Sequence, residues 1–157
     1  MTISNNRSLS RLAAVQMLFH NDFNEKMNLE RLKPIKDLDT SEIYETIQNF
    51  NNGIKEYDGL QLEKDWFLKL VNSVFNNKKK IDSFLSGFLN EDWSIERMDN
   101  TLINILRCAY IEFKDFSNIP PNVIISEYTN IASSFFNRTE VNFINGVLDK
   151  VSKSFKN

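Results

Sequence analysis

Apolar residues recur along the chain at spacings of three, four and seven, and no segment alternates with the period of two that a half-buried strand requires. The first periodic segment runs from about Arg7 to Phe23 and is apolar on two sides. Leu9, Leu12, Ala13, Phe19 and Phe23 gather on one, and Ala14, Val15 and Leu18 on the other. A helix patterned in this way is sandwiched between neighbours rather than laid on a surface. From Asn24 to Asp39, with Pro34 inside, the pattern is that of a connection holding at most one short helix.

Asp39 and Glu42 stand at capping-box spacing, and Ile43, Ile47, Phe50 and Ile54 then form a helical stripe that Gly59 closes. Between Gln61 and about Leu89 the stripe is Phe67, Leu70, Val71, Val74, Ile81, Leu85 and Phe88. It passes through Asn76-Asn77-Lys78-Lys79-Lys80, where a break or kink giving two helices is expected, with the lysines in a solvated turn. After Trp93 comes the most regular ladder, Ile95, Met98, Leu102, Ile105, Leu106, Ala109 and Phe113, with Ser94 as the expected N-cap. Pro121 fits the first turn of another helix with the stripe Ile124, Tyr128, Ile131 and Phe135, and Asn137 is its expected terminator. A last helix, about Thr139 to Phe155, turns Val141, Ile144, Leu148, Val151 and Phe155 inward. The expectation is an all-α chain of about seven helices. It forms a single domain over 1–157, with an N-terminal subdomain (1–90) and a C-terminal one (91–157) stacked as two helical bundles.

Composition agrees and narrows the function. Four Gly and three Pro in 157 residues argue against a turn-rich β fold, and 41% apolar residues supply a core. One cysteine and one histidine leave no Cys/His metal site, and no glycine-rich phosphate loop is present. Cys108, within the most regular ladder, reads as a small buried hydrophobe, and His20 as a helix-face residue. No spaced carboxylate pair suggests acid–base work. The chain is expected to be a binding protein without cofactor or metal rather than an enzyme. With no apolar run long enough to span a membrane and no signal-peptide core, it is expected in the cytoplasm. A net charge of −2 gives no basic excess, so any nucleic acid would be held by a local patch, weakly, or with help.

Two places fit a purely structural pattern poorly. Arg7 and Arg11 lie four apart on one helix face, in a segment with no acid between Met1 and Asn21, and Gln16 falls on the apolar side formed by Leu9, Leu12 and Phe19. They are either two exposed arginines and a half-buried amide, or a nucleic-acid face. In the last helix Phe143 lies off the inward stripe and shares a face with Gly146 and Lys150. It is either an edge-of-core ring among solvated lysines, or the stacking platform plus charge that single-stranded RNA requires.

Several segments resemble one family in order along the chain. Arg11-Leu12-Ala13-Ala14-Val15-Gln16-Met17-Leu18-Phe19 is similar to the opening R-x-x-A-V-Q-x-L-Y of the NusB transcription antitermination factors, and Asn142 to Lys150 (NFINGVLDK) to their F-V-N-G-V-L-D-K signature. Trp93 to Met98 resembles W-S-L-E-R-I. Ile105-Leu106-Arg107 with Ala109-Tyr110 resembles I-L-R-x-A-Y-E-L, and Ile119-Pro120 through Glu127 resembles V-P-x-x-V-x-I-N-E.

The resemblance implies two perpendicular three-helix bundles. It also implies binding of the boxA element of ribosomal RNA leader transcripts together with NusE, in a complex with NusA, NusG and RNA polymerase that elongates past terminators. By position, RNA contacts would fall on Arg7, Arg11, Gln16, Phe19 and Phe143, with Lys150 on the face of Phe143, and NusE contacts on Phe84 and Phe88. The chain departs from the pattern in having only two arginines in its opening segment, Phe19 for the usual Tyr, and Ser126 for Asn. The alternatives are a NusB-like domain of an RNA cytosine methyltransferase, disfavoured because the sequence stops at Asn157, and a generic helical adaptor.

Overall fold

The structure, a computed structural model, describes residues 3–26, 39, 41, 42, 45, 59–90 and 92–155. Among them are five α-helices, one short 3₁₀ turn and no strand. The helices are α1 (Asn6–Lys26), α2 (Lys64–Ser86), α3 (Asn100–Asp115), α4 (Pro121–Phe135) and α5 (Arg138–Ser154), and the 3₁₀ turn spans Ile95–Arg97.

α1 starts where Asn5 supplies a cap: its Oδ1 accepts from the Ser8 N–H at 2.8 Å. Every residue from Ser8 to Leu18 is buried, as the two-sided pattern requires, and the helix continues three residues beyond Phe23. The capping box forms. Glu42 donates its N–H to Asp39 Oδ1 (2.8 Å), and Asp39 returns its own to Glu42 Oε2 (3.0 Å). The stripe expected after it, from Ile43 to Ile54, lies outside the described residues. Gly59 takes a φ of +84°, a left-handed backbone that glycine accepts without strain.

α2 is continuous but kinked. Asn77 leaves helical geometry (φ −125°, ψ 18°), and its side-chain amide donates to the Ser73 carbonyl at 2.8 Å, the oxygen the helix ladder would offer to its own N–H. Phe67, Leu70, Val71 and Val74 before the kink and Ile81 and Leu85 after it stay buried. The lysine run is thus part of a helix, and Lys78 within it is half-buried.

The ladder after Trp93 begins later than its spacing suggests. Ser94 caps only the 3₁₀ turn, Met98 is extended, and Asp99 starts α3 by accepting from the N–H groups of Thr101 (2.7 Å) and Leu102 (3.4 Å). An acid accepting two first-turn amides outcompetes a serine that accepts none. Pro121 takes the first turn of α4 as expected. Asn137, expected to end that helix, instead opens α5; α4 stops one residue earlier at Phe136 in extended backbone.

α3 is the centre of the molecule. It packs against each of the other four described helices, and its residues from Leu102 to Ala109, with Ile111, Glu112 and Phe113, are all buried. α1 lies between α2, α3 and α4, and α5 packs on α3 and α4.

Candidate nucleic-acid interface

The two arginines of α1 have different fates. Arg11 is 2% exposed. Its Nε and Nη2 donate to the two carboxylate oxygens of Glu112, each at 2.9 Å, and Nη1 lies 3.5 Å from Glu127 Oε1. Its guanidinium also sits over the Trp66 ring, 5.3 Å from the centroid. The hydroxyl of Tyr128 donates to the same Glu112, and Ser8 Oγ donates to Glu127 at 2.9 Å. Burial pulls the Arg11 pKa down, but the hydrogen bond and charge of Glu112 outweigh it and hold the group above its ordinary value. The residue expected on an RNA-facing surface is thus enclosed between α1, α3 and α4, with its donors committed to carboxylates. Arg7 is the arginine of the pair that reaches solvent. Its side chain is 38% exposed, pairs with Glu63 and stacks 4.5 Å above the Trp66 ring.

Gln16 is buried, and neither its amide nitrogen nor its oxygen has a hydrogen-bond partner among the described residues. An unpaired buried amide costs about 1–3 kcal/mol. Phe19 is half-buried and runs parallel to Phe23, with centroids 6.4 Å apart at 16°. Phe23 is 44% exposed, so α1 presents aromatic surface near its C-terminal end.

The second patch lies on α5. Phe143 is half-buried and lies flat against Trp93, with centroids 4.0 Å apart and planes 12° from parallel. Gly146, one turn further, is exposed, and among the described residues a Cβ built there would meet nothing within 4 Å outside its own stretch of helix. A glycine inside a helix costs about 1 kcal/mol against alanine, and no packing among the described residues repays it. Lys150, a further turn along, is exposed and pairs with no carboxylate among the described residues, whereas Lys153 is tied to Asp149 at 3.0 Å. One helix face therefore carries a ring, an open backbone step and an unpaired cation in succession.

Phe84 and Phe88 belong to a third patch. They lie 5.2 Å apart, and Phe84 also meets Tyr110 (4.8 Å) and Phe155 (5.9 Å). Phe84 and Phe88 are half-buried and Phe155 is exposed, so the cluster surfaces where the end of α2 meets α3 and α5.

Two groupings were not visible in the sequence pattern. Trp93 precedes the helical ladder, where periodicity assigns no face, and only its ring contact ties it to Phe143. The other grouping centres on Asp22. Arg107 bonds Asp82 twice (2.8 and 2.7 Å) and Asp22 once (2.9 Å), Lys78 reaches Asp22 at 2.6 Å, and Asn104 donates to it at 2.9 Å. This network borders a cleft of about 240 Å³ beside the 3₁₀ turn. Its polar groups satisfy one another, which makes it a fastening of α1 and α2 onto α3. Among the described residues no group of three or more His, Cys, Asp or Glu could hold a metal, and no helix is long and apolar enough to cross a membrane.

Comparison with known proteins agrees with this architecture. The NusB family model matches residues 8–153. The transcription antitermination protein NusB of Brucella abortus (strain S19) is 36% identical over 152 residues, 95% of this chain and 81% of that protein. The protein of the same name from Sinorhizobium medicae (strain WSM419) is 32% identical over 155 residues, 97% of this chain and 89% of that one. A solved structure of T. maritima NusB (form 2, P3121) superposes with a TM-score of 0.66 at 25% identity, covering 98% of this chain and 93% of that one. With a family match across residues 8–153 and relatives above 30% identity over 81–89% of their length, the chain belongs to the NusB family.

Proposed function

We propose that the chain is a transcription antitermination factor without catalytic activity, working in the cytoplasm. It binds the unpaired boxA segment of ribosomal RNA leader transcripts jointly with NusE, and acts with NusA and NusG on RNA polymerase. The observation that carries this reading is the α5 face: a half-exposed Phe143, an open Gly146 and an unpaired Lys150, inside the segment most similar to the family signature. An aromatic plane beside a cation is what an unstacked base and its phosphate require.

On α1, Arg7 and the ring of Phe19 are the proposed contacts. Arg11 acts indirectly by fixing the helix, and Gln16 contributes only where RNA reaches its buried amide. The aromatic cluster around Phe84 and Phe88 is the proposed NusE surface, on α2 rather than on the Phe143 face. The same reading divides the fold into the two bundles of the family, 1–90 and 91–157, with the second opening near Trp93.

Fluorescence anisotropy with a short boxA-like RNA, with and without NusE, tests the reading. Weak binding alone and tighter binding with NusE is the expected result. RNA ignored under both conditions would leave only a helical adaptor.

A further inference from the structure

We propose that Glu63 competes with RNA for Arg7: its carboxylate holds the solvent-reaching guanidinium of α1 in an internal ion pair that a phosphate has to displace. The inference rests on the RNA reading above and concerns what limits the affinity of its α1 side.

Arg7 and Arg11 are the only arginines or lysines between Met1 and Glu25. With Arg11 committed to Glu112, the charge that this length of α1 offers a phosphate is that of Arg7. Glu63 is brought beside it by the backbone and not by a chance reach of two long side chains. The Gln61 N–H donates to Asn6 Oδ1 at 3.0 Å, and the Glu63 N–H donates to Ser10 Oγ at 2.9 Å. These two bonds fasten residues 61–63 to the first turns of α1 on either side of Arg7 in sequence, and the Arg7–Glu63 pair follows from them. Glu63 also directly precedes α2, at the positive end of that helix, where a carboxylate is favoured. Trp66, one turn along α2, gives the Arg7 guanidinium a second support, its ring centroid 4.5 Å away. That stack orients the group without neutralising it, so Glu63 is not needed to aim Arg7 and its effect is to cancel the charge. The two side chains are 38% and 37% exposed, which leaves the pair open to a competing anion. A phosphate arriving there exchanges one ion pair for another, so Arg7 adds less to affinity and to salt dependence than an unpaired arginine would.

The test is anisotropy with full-length protein, a boxA-like single-stranded RNA and NusE over a range of KCl concentrations, with a thermal melt of each variant. Glu63→Gln keeps the shape of the side chain and removes its charge. It is expected to bind RNA about two- to fivefold tighter, the range that an exposed ion pair accounts for. Its plot of log affinity against log salt should steepen by about 0.7, the value for one further phosphate on a single strand. In an Arg7→Ala background the same change should gain markedly less, because the charge it frees is absent. Its melting temperature should shift by no more than a few degrees, as befits a pair on the surface. Unchanged or weaker RNA binding by folded Glu63→Gln protein, or an equal gain with and without Arg7, would overturn the competition and leave the RNA reading standing. If the parent protein bound no RNA, alone or with NusE, competition and RNA reading would fall together.

Discussion

Arg11 and Glu112 stand 101 residues apart in sequence and meet through two N–H···O bonds of 2.9 Å, both side chains almost fully sealed from water. The geometry is the parallel fork in which guanidinium and carboxylate satisfy each other, and Tyr128 and Ser8 extend it to α4 and the start of α1.

Removing one partner of that pair leaves a buried charge uncompensated. Arg11→Ala is expected to cost about 3–5 kcal/mol of stability in urea unfolding. Replacing both, as Arg11→Met with Glu112→Leu, should recover part of the loss, because neither charge is then stranded. RNA affinity of whatever remains folded should change little, and a selective loss of RNA binding with full stability would return Arg11 to the interface.

Phe143→Ala should separate two contributions. Loss of the base contact is expected to weaken RNA binding by about 1–3 kcal/mol. The stack on Trp93 adds a folding cost, about 0.5–1.5 kcal/mol for the ring pair, which stays below the 3–5 kcal/mol of a fully buried Phe cut to Ala. One titration and one melt on the same protein decide it. A large fall in melting temperature with unchanged RNA affinity would make Phe143 purely a packing residue.

Phe84→Ala is expected to weaken NusE binding several-fold in a pull-down or titration, with helical content by circular dichroism unchanged. Phe84 touches Phe88, Tyr110 and Phe155 at the surface, outside the fully buried set of α2. Unfolding of the variant, with no partner-specific loss, would count against this surface.

Alkaline pH should loosen the fold from within. Burial pushes the Cys108 thiol well above its ordinary range, and burial with the charge of Glu112 does the same to the Tyr128 hydroxyl. Raised values in the folded state mean that the stability is fully present at neutral pH. It declines once the unfolded groups ionise, above about pH 8.5 for the thiol and about pH 10 for the phenol. Melting temperatures between pH 7 and 10.5 should fall in that window, and Cys108→Ala should flatten its lower half. Cys108 should also resist thiol reagents at pH 8 until denaturant is added.

What was legible in the sequence was whatever depends on near neighbours. The buried two-sided α1, the kink at Asn77, the Asp39–Glu42 box and Pro121 at the head of α4 all follow from residues within a turn or two of one another. Ser94 and Asn137 were misplaced because several good capping residues stood close together and the choice among them was made by hydrogen bonds the spacing does not reveal. Arg11 looked exposed because its partners, Glu112 and Glu127, lie far along the chain. A helical wheel registers its position but not the carboxylates folded over it. Trp93, in a connection without period, carried no facial signal, and its place against Phe143 emerged only with the fold.

Because α3 touches every other described helix, the two halves of the chain share their most buried strip of side chains. A boundary drawn at residue 90 cuts across the packing of α1 and α2 on α3. α1 and α2 taken alone would expose the apolar surface that Leu102 to Phe113 now covers, and α4 and α5 would lose theirs if α3 stayed with the first half. Melting is therefore expected to be a single all-or-none event for both proposed binding faces.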